Sequence, residues 1–245
     1  MKLSPLTSYL LPLLLLASCG GSQKSTKAES TTESEVVATV VGPTFSADSA
    51  YAFCKAQCDF GPRTMNSEAH EQCGAWIARQ FQAYGMTVIE QRATLRGYDG
   101  TPLQSNNIIA QYRPEQKERI MICAHWDSRP WADNDPDSTN WRKPVMAAND
   151  GASGVAVMLE LARLVSTETA PAVGIDFICF DAEDWGEPQW VTTTNTDNFW
   201  ALGAQYWAKN PHRQDYKPRY GILLDMVGGQ GARFYQEGFS LYHAA

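Results

Sequence analysis

The chain has 245 residues, with 27 acidic side chains, 20 basic ones and a formal net charge of −7. Its length suits one large α/β domain once the N-terminal segment is set aside, so a second domain is not required. The acidic balance and the lack of a Lys/Arg run exclude a basic surface for nucleic acid or for an anionic membrane.

Met1-Lys2 lead into an apolar run, Leu10 to Leu16, that ends in Ala17-Ser18-Cys19. A run this short cannot span a bilayer permanently, and its small terminal residues mark a signal peptide over residues 1–18. Leu16-Ala17-Ser18-Cys19 resembles the bacterial lipobox. That resemblance implies that Cys19 carries a lipid and that the exported protein is anchored to a bacterial membrane, facing the periplasm or the cell surface. Ordinary secretion, with Cys19 incidental, is the alternative. Residues 19–44, rich in Ser, Thr, Gly, Glu and Lys, cannot bury a core and read as a flexible tether. The catalytic domain is then expected over 45–245. In an oxidising compartment a disulfide is plausible for the five remaining cysteines, and the spacing favours Cys58–Cys73, with Cys54–Cys73 close behind.

Ala69, Cys73, Trp76, Ile77, Phe81 and Tyr84 recur at helical spacing, which predicts a core-facing helix over 67–84, stopped at Gly85. Thr87-Val88-Ile89, a turn near Asp99-Gly100-Thr101-Pro102, and 107–112 follow as strand, turn and strand. The uninterrupted apolar run 119–124 suits the interior of a sheet covered on both faces. A Trp- and Pro-rich loop, 126–144, separates it from a helix over 151–165. A strand over 174–180, a helix over about 199–209 and a strand over 220–224 complete the order. Alternating strands and helices predict a layered α/β fold with a mostly parallel central sheet.

Three of these strands end in polar residues that can open on one crevice: His125, then Asp181 to Asp184, then Asp225. Asp150 precedes the helix at 151 and joins the same edge. Alone, each has a plain reading. Asp150 is a helix N-cap, His125 a hydrogen-bonded interior residue, Glu183-Asp184 a solvated loop, and Asp225 a turn residue. Together they offer oxygen and imidazole donors of the kind zinc takes, with one position left open for catalysis. Neighbouring carboxylates such as Glu183 and Asp184 point in different directions after a strand, so one can hold a metal while the other faces substrate.

His125-Trp126-Asp127, the segment Ala148 to Gly154, Phe180 to Asp184 and Leu224 to Gly228 resemble, in order, the motifs of aminopeptidase-type zinc exopeptidases. Within that clan the chain looks most like the bacterial glutaminyl-peptide cyclotransferases. Phe60-Gly61-Pro62-Arg63 and the Trp-rich insert favour that branch. The resemblance implies a three-layer α/β/α sandwich, with Asp150 and Asp184 as zinc ligands and Glu183 as general acid/base. Asp225 becomes an active-site carboxylate. His125 and Asp127 lie beside a single zinc in a cyclase or serve a second zinc in an aminopeptidase. The implied reaction is cyclisation of N-terminal glutamine in peptides and proteins to pyroglutamate, with loss of ammonia. Trp185 and Trp190 are expected in the substrate pocket, where aromatic walls exclude water. The family's third ligand is a C-terminal histidine that the sequence does not reach, and His243 does not match it. The C-terminal part of the domain is therefore expected to be missing, as in a truncated gene model. Two other functions are open at this point: a dizinc aminopeptidase that hydrolyses N-terminal residues, and a catalytically silent surface lipoprotein on the same scaffold.

Overall fold

The computed structural model describes residues 42–167, 171–192 and 197–234. The signal peptide, Cys19, nearly all of the tether and His243 lie outside the described residues.

Local sequence sets the helix limits. α1, Ala47–Cys58, starts where the Ser46 side chain accepts the Ser49 N–H at 3.1 Å, and α2, Glu68–Ala83, starts where Ser67 does the same for His70. α2 stops at Tyr84, before Gly85 at φ 75°, as its periodicity predicts. α3 runs Ser153–Thr167 and α4 Leu202–Lys209. α1 has no counterpart in the sequence reading, because its apolar residues do not fall on a well-defined stripe.

The strands are β1 Thr87–Arg96, β2 Pro102–Tyr112, β3 Arg119–His125, β4 Gly174–Phe180 and β5 Gly221–Leu223. They form one mixed sheet in the order β1-β2-β4-β3-β5. β2 pairs antiparallel with both its neighbours, whereas β4, β3 and β5 pair in parallel, so four strands point one way and β2 alone is reversed.

Alternation along the central strands makes the layers. Ile108, Ala110, Ile122, Ala124, Ile175, Phe177 and Cys179 face α2 and α3, packing on Ile77, Phe81, Val155, Met158 and Leu159. Ile109, Cys123, Ile178 and Phe180 face the other way, against Ala204 and Trp207 of α4. These are the layers of the expected α/β/α arrangement. No helix among the described residues is long and apolar enough to cross a membrane.

The expected Cys58–Cys73 disulfide is not formed, nor is a Cys54–Cys73 bridge: all three are free thiols. Cys73 is turned into the core beneath α2, while the Cys54 Sγ–H donates to the Ala148 carbonyl at 3.2 Å.

Near the N-terminal end of β4, paired with Met121 of β3 and so about 13 Å of strand from His125, Asp176 is fully buried. It accepts from Arg119 Nε (2.6 Å) and Nη2 (2.7 Å), Gln111 (3.0 Å) and the Tyr216 hydroxyl (2.8 Å). Burial by itself would raise its pKa. The bonds from His212, Arg119, Gln111 and Tyr216 outweigh it and hold the carboxyl well below its ordinary range. Asp176→Asn leaves Arg119 buried without its counter-charge and is expected to lower stability at pH 7 by about 3–5 kcal/mol in urea unfolding. A depressed folded-state pKa stabilises above the unfolded value, about 4, and that stabilisation is lost as pH falls. The gap between wild type and variant should therefore narrow below about pH 4. A gap that stays constant into acid would contradict the role given to this pair.

Candidate active site

β3, β4 and β5 run in one direction, so their C-terminal ends share an edge, the place where open α/β sheets bind ligands. His125 is the last residue of β3 and pairs with Phe180, the last of β4. Asp181 to Asp184 follow β4 directly, and Asp225 lies two residues past β5. His125 Nε2 sits 2.8 Å from Asp150 Oδ1 and 3.8 Å from Asp225 Oδ1. Among the described residues, His125, Asp150 and Asp184 each offer a donor atom, all within 4.8 Å of one another, a spacing that could hold a metal ion. Four separate segments thus meet at one point.

Asp127 fixes the pair Glu183-Asp184. Its carboxylate is fully buried and accepts the backbone N–H of Glu183 at 3.0 Å and of Asp184 at 3.1 Å. Burial opposes its charge, but the bonds from His125, Glu183 and Asp184 prevail and lower its pKa. One residue earlier in the turn, Ala182 is left-handed at φ 51°. Asp181 supports that conformation by accepting the N–H groups of Ala182 (2.9 Å) and Asn106 (2.6 Å) and by pairing with His70 Nε2 at 2.9 Å. His70 in turn stacks on Trp126, with ring centroids 4.3 Å apart. Neither His70 nor the structural part played by Asp127 could be derived from spacing.

Asp150 is not a helix cap. It has extended backbone angles inside the wide turn Ala148–Ala152, and its carboxylate goes to His125. Gly151 at φ 101° follows because a Cβ there would stand 2.9 Å from the Asp127 carbonyl. Asn149 Oδ1 accepts the Gly228 N–H and Ser153 Oγ accepts that of Val227, which ties this turn to the loop carrying Asp225.

Charge is crowded here. Burial pushes Asp184 up to about 8, with repulsion from Asp127 adding to it and His125 opposing. Burial likewise raises Glu183, again opposed by His125, with Asp127 and Asp150 reinforcing the rise. For His125 burial disfavours the cation, yet Asp127 and Asp150 outweigh it and raise the imidazole well above its ordinary pKa. A cation among these carboxylates would relieve their repulsion.

A cavity of about 280 Å³ adjoins Asp150 and Asp184, and its walls include Arg129, Trp131, Asp133 and Val145. The expected pocket residues Trp185 and Trp190 are not among its lining. Both instead make edge contacts with Trp131, at 5.4 and 6.1 Å between centroids. Trp131, which the sequence reading did not single out, presents the ring. Arg129 braces the same wall: it is bidentate to Asp133 (2.7 Å each) and donates to the Asp184 carbonyl at 3.2 Å.

The chain resembles solved structures over most of its length. A glutaminyl cyclase from Bacteroides thetaiotaomicron is 51% identical, with TM-score 0.80, over 83% of this chain and 70% of that one. A Tannerella forsythia glutaminyl cyclase is 50% identical, with TM-score 0.79, over 82% and 69%. A protein described as a leucine aminopeptidase precursor, also from B. thetaiotaomicron, is 51% identical, with TM-score 0.80, over 84% and 71%. The chain spans only 23% to 40% of the length of the curated relatives it matches. The sequence model described as peptidase family M28 matches residues 107–243, more than half of the chain and all four segments that meet at His125. With the strand-end carboxylates placed as they are, the chain belongs to peptidase family M28.

Proposed function

We propose that the chain is a zinc-dependent glutaminyl-peptide cyclotransferase, converting N-terminal glutamine of peptides and proteins to pyroglutamate with release of ammonia. The observation that carries this reading is half-identity to two solved glutaminyl cyclases over more than four fifths of the chain.

The residues present fit a metal: two carboxylates and an imidazole within 4.8 Å, one of those carboxylates pushed up to about 8 by burial and by the charge of its acidic neighbours. Asp150 and Asp184 would hold zinc, with His125 the third donor in reach among the described residues. Bound there, zinc supplies a Lewis acid for the substrate's side-chain carbonyl. Glu183, anchored beside Asp184 through Asp127, takes a proton from the substrate's α-amine as that nitrogen bonds to the side-chain carbon. As the amide C–N bond breaks, Glu183 returns the proton to the departing nitrogen, which leaves as ammonia. Asp225, 3.8 Å from His125 Nε2, would be the further active-site carboxylate. Trp131, backed by Trp185 and Trp190, forms an apolar wall for a compact side chain. The apolar N-terminal run and Cys19 support export and lipid anchoring, with 19–44 as a tether to a domain over 45–245.

A second reading, aminopeptidase hydrolysis with two zinc ions, draws on the neighbour described as a leucine aminopeptidase precursor and on the 3.8 Å approach of His125 to Asp225. Incubating the zinc-loaded chain with glutaminyl peptides and with leucyl anilides separates the two. Ammonia release without anilide hydrolysis is expected, and hydrolysis alone would overturn the cyclase reading.

Glu183→Gln is expected to lower kcat by about 10²- to 10⁴-fold, the usual contribution of a general acid/base, while zinc content stays at the wild-type level. Retained turnover in that variant would remove Glu183 from the proton path. Dialysis against a chelator should abolish ammonia release and stoichiometric zinc should restore it, whereas magnesium, which prefers an octahedral shell of oxygens, should not.

A further inference from the structure

Phe60-Gly61-Pro62-Arg63 is used by none of the chemistry above, yet Arg63 is one of the largest fully buried side chains. Its guanidinium donates to three carbonyls: Nε to Trp126 at 3.0 Å, Nη1 to Met146 at 3.0 Å and Nη2 to Ala147 at 2.7 Å. In return its own carbonyl accepts the Ser128 N–H at 3.1 Å. No carboxylate is among its hydrogen-bond partners in the described residues. A buried cation held by carbonyls alone is a poor way to gain stability, since a well-packed apolar side chain would serve the fold as well or better.

The three carbonyls belong to the two loops that carry the metal-site donors. Trp126 lies between His125 and Asp127, and Ala147 lies three residues before Asp150. Ala147 is itself left-handed at φ 56°, a conformation that a residue with a Cβ adopts only when its surroundings impose it. Its carbonyl receives the shortest of the three bonds.

We infer that Arg63 is a positioning residue for the metal site, a rigid fork that locks the His125–Asp127 loop to the Ala147–Asp150 turn and so sets the spacing of the donors on each. This rests on the metal reading of those donors. The planar guanidinium matters because a lysine ammonium, a point charge on a flexible stem, cannot hold three carbonyls in one plane.

The test compares zinc dissociation constants, measured by competition with a chromophoric chelator, for wild type, Arg63→Lys, Ala147→Gly and the double variant. Near-ultraviolet circular dichroism of each metal-free chain checks the fold. Arg63→Lys is expected to keep the native signal and to bind zinc about 10- to 100-fold more weakly, the usual effect of losing a group that orients ligands. Ala147→Gly alone should change little. Added to Arg63→Lys, it should recover several-fold in affinity, because glycine takes the left-handed conformation without support. Unchanged zinc affinity in folded Arg63→Lys would overturn the inference. Loss of folding in Arg63→Lys that Ala147→Gly does not repair would also overturn it, assigning Arg63 to the fold as a whole. Failure of wild type itself to bind zinc would sink the metal reading, and this one with it.

Discussion

A carboxylate taken out of water must be paired or hydrogen-bonded from several sides, and this fold places Asp127, Asp181 and Asp184 out of water within a few residues of where β3 and β4 end. The first two are satisfied by backbone. Asp127 accepts the N–H groups of Glu183 and Asp184, and Asp181 those of Asn106 and Ala182. Their burial is therefore inseparable from the shape of the turn after β4. Among the described residues the Asp184 carboxylate accepts no backbone N–H; burial drives its pKa up, as it does that of Asp181, with His125 opposing the rise at Asp184 and His70 at Asp181. Two of the acids thus build a frame, while the third lies with His125 and Asp150 where donor atoms come within 4.8 Å of one another.

The surrounding layers serve that frame. His70, from α2, reaches Asp181 while stacking on Trp126, so a helix in one outer layer holds the turn that carries the proposed catalytic acid. Arg63 and Arg129 do comparable work on the loops at either side, one through carbonyls and the other through Asp133 and the Asp184 carbonyl. At the far end of β4, Asp176 and Arg119 close the sheet with a second buried ion pair. Polar interiors at both ends of an otherwise apolar sheet give the strands one register, since a slip by a residue would strand these charges in the wrong layer.

Much of this was legible in the sequence. The apolar runs of β3 and β4 and the stripe of α2 set the layers, and carboxylates after each strand marked the edge where a site forms. What escaped were features that depend on three-dimensional neighbours rather than on period. α1 has too weak a stripe to be recognised. Trp131 lines the cavity beside Asp150 and Asp184, a place that sequence could not give it, because the course of an irregular loop is not set by any repeating pattern. Free thiols at Cys58 and Cys73 show the same limit: spacing permits a bridge, but does not fix whether two cysteines are joined. Asp127 stood in a recognisable motif, although its bonds to the turn after β4 became visible only once that turn was in place.

The central claim is that His125, Asp150 and Asp184, whose donor atoms lie within 4.8 Å of one another, form a site that binds zinc. Anomalous diffraction at the zinc edge from crystals of the zinc-loaded chain tests it most directly. The account predicts a peak about 2.0 to 2.2 Å from carboxylate oxygens of both Asp150 and Asp184. A peak elsewhere in the molecule, or none in crystals whose fold is intact, would contradict it.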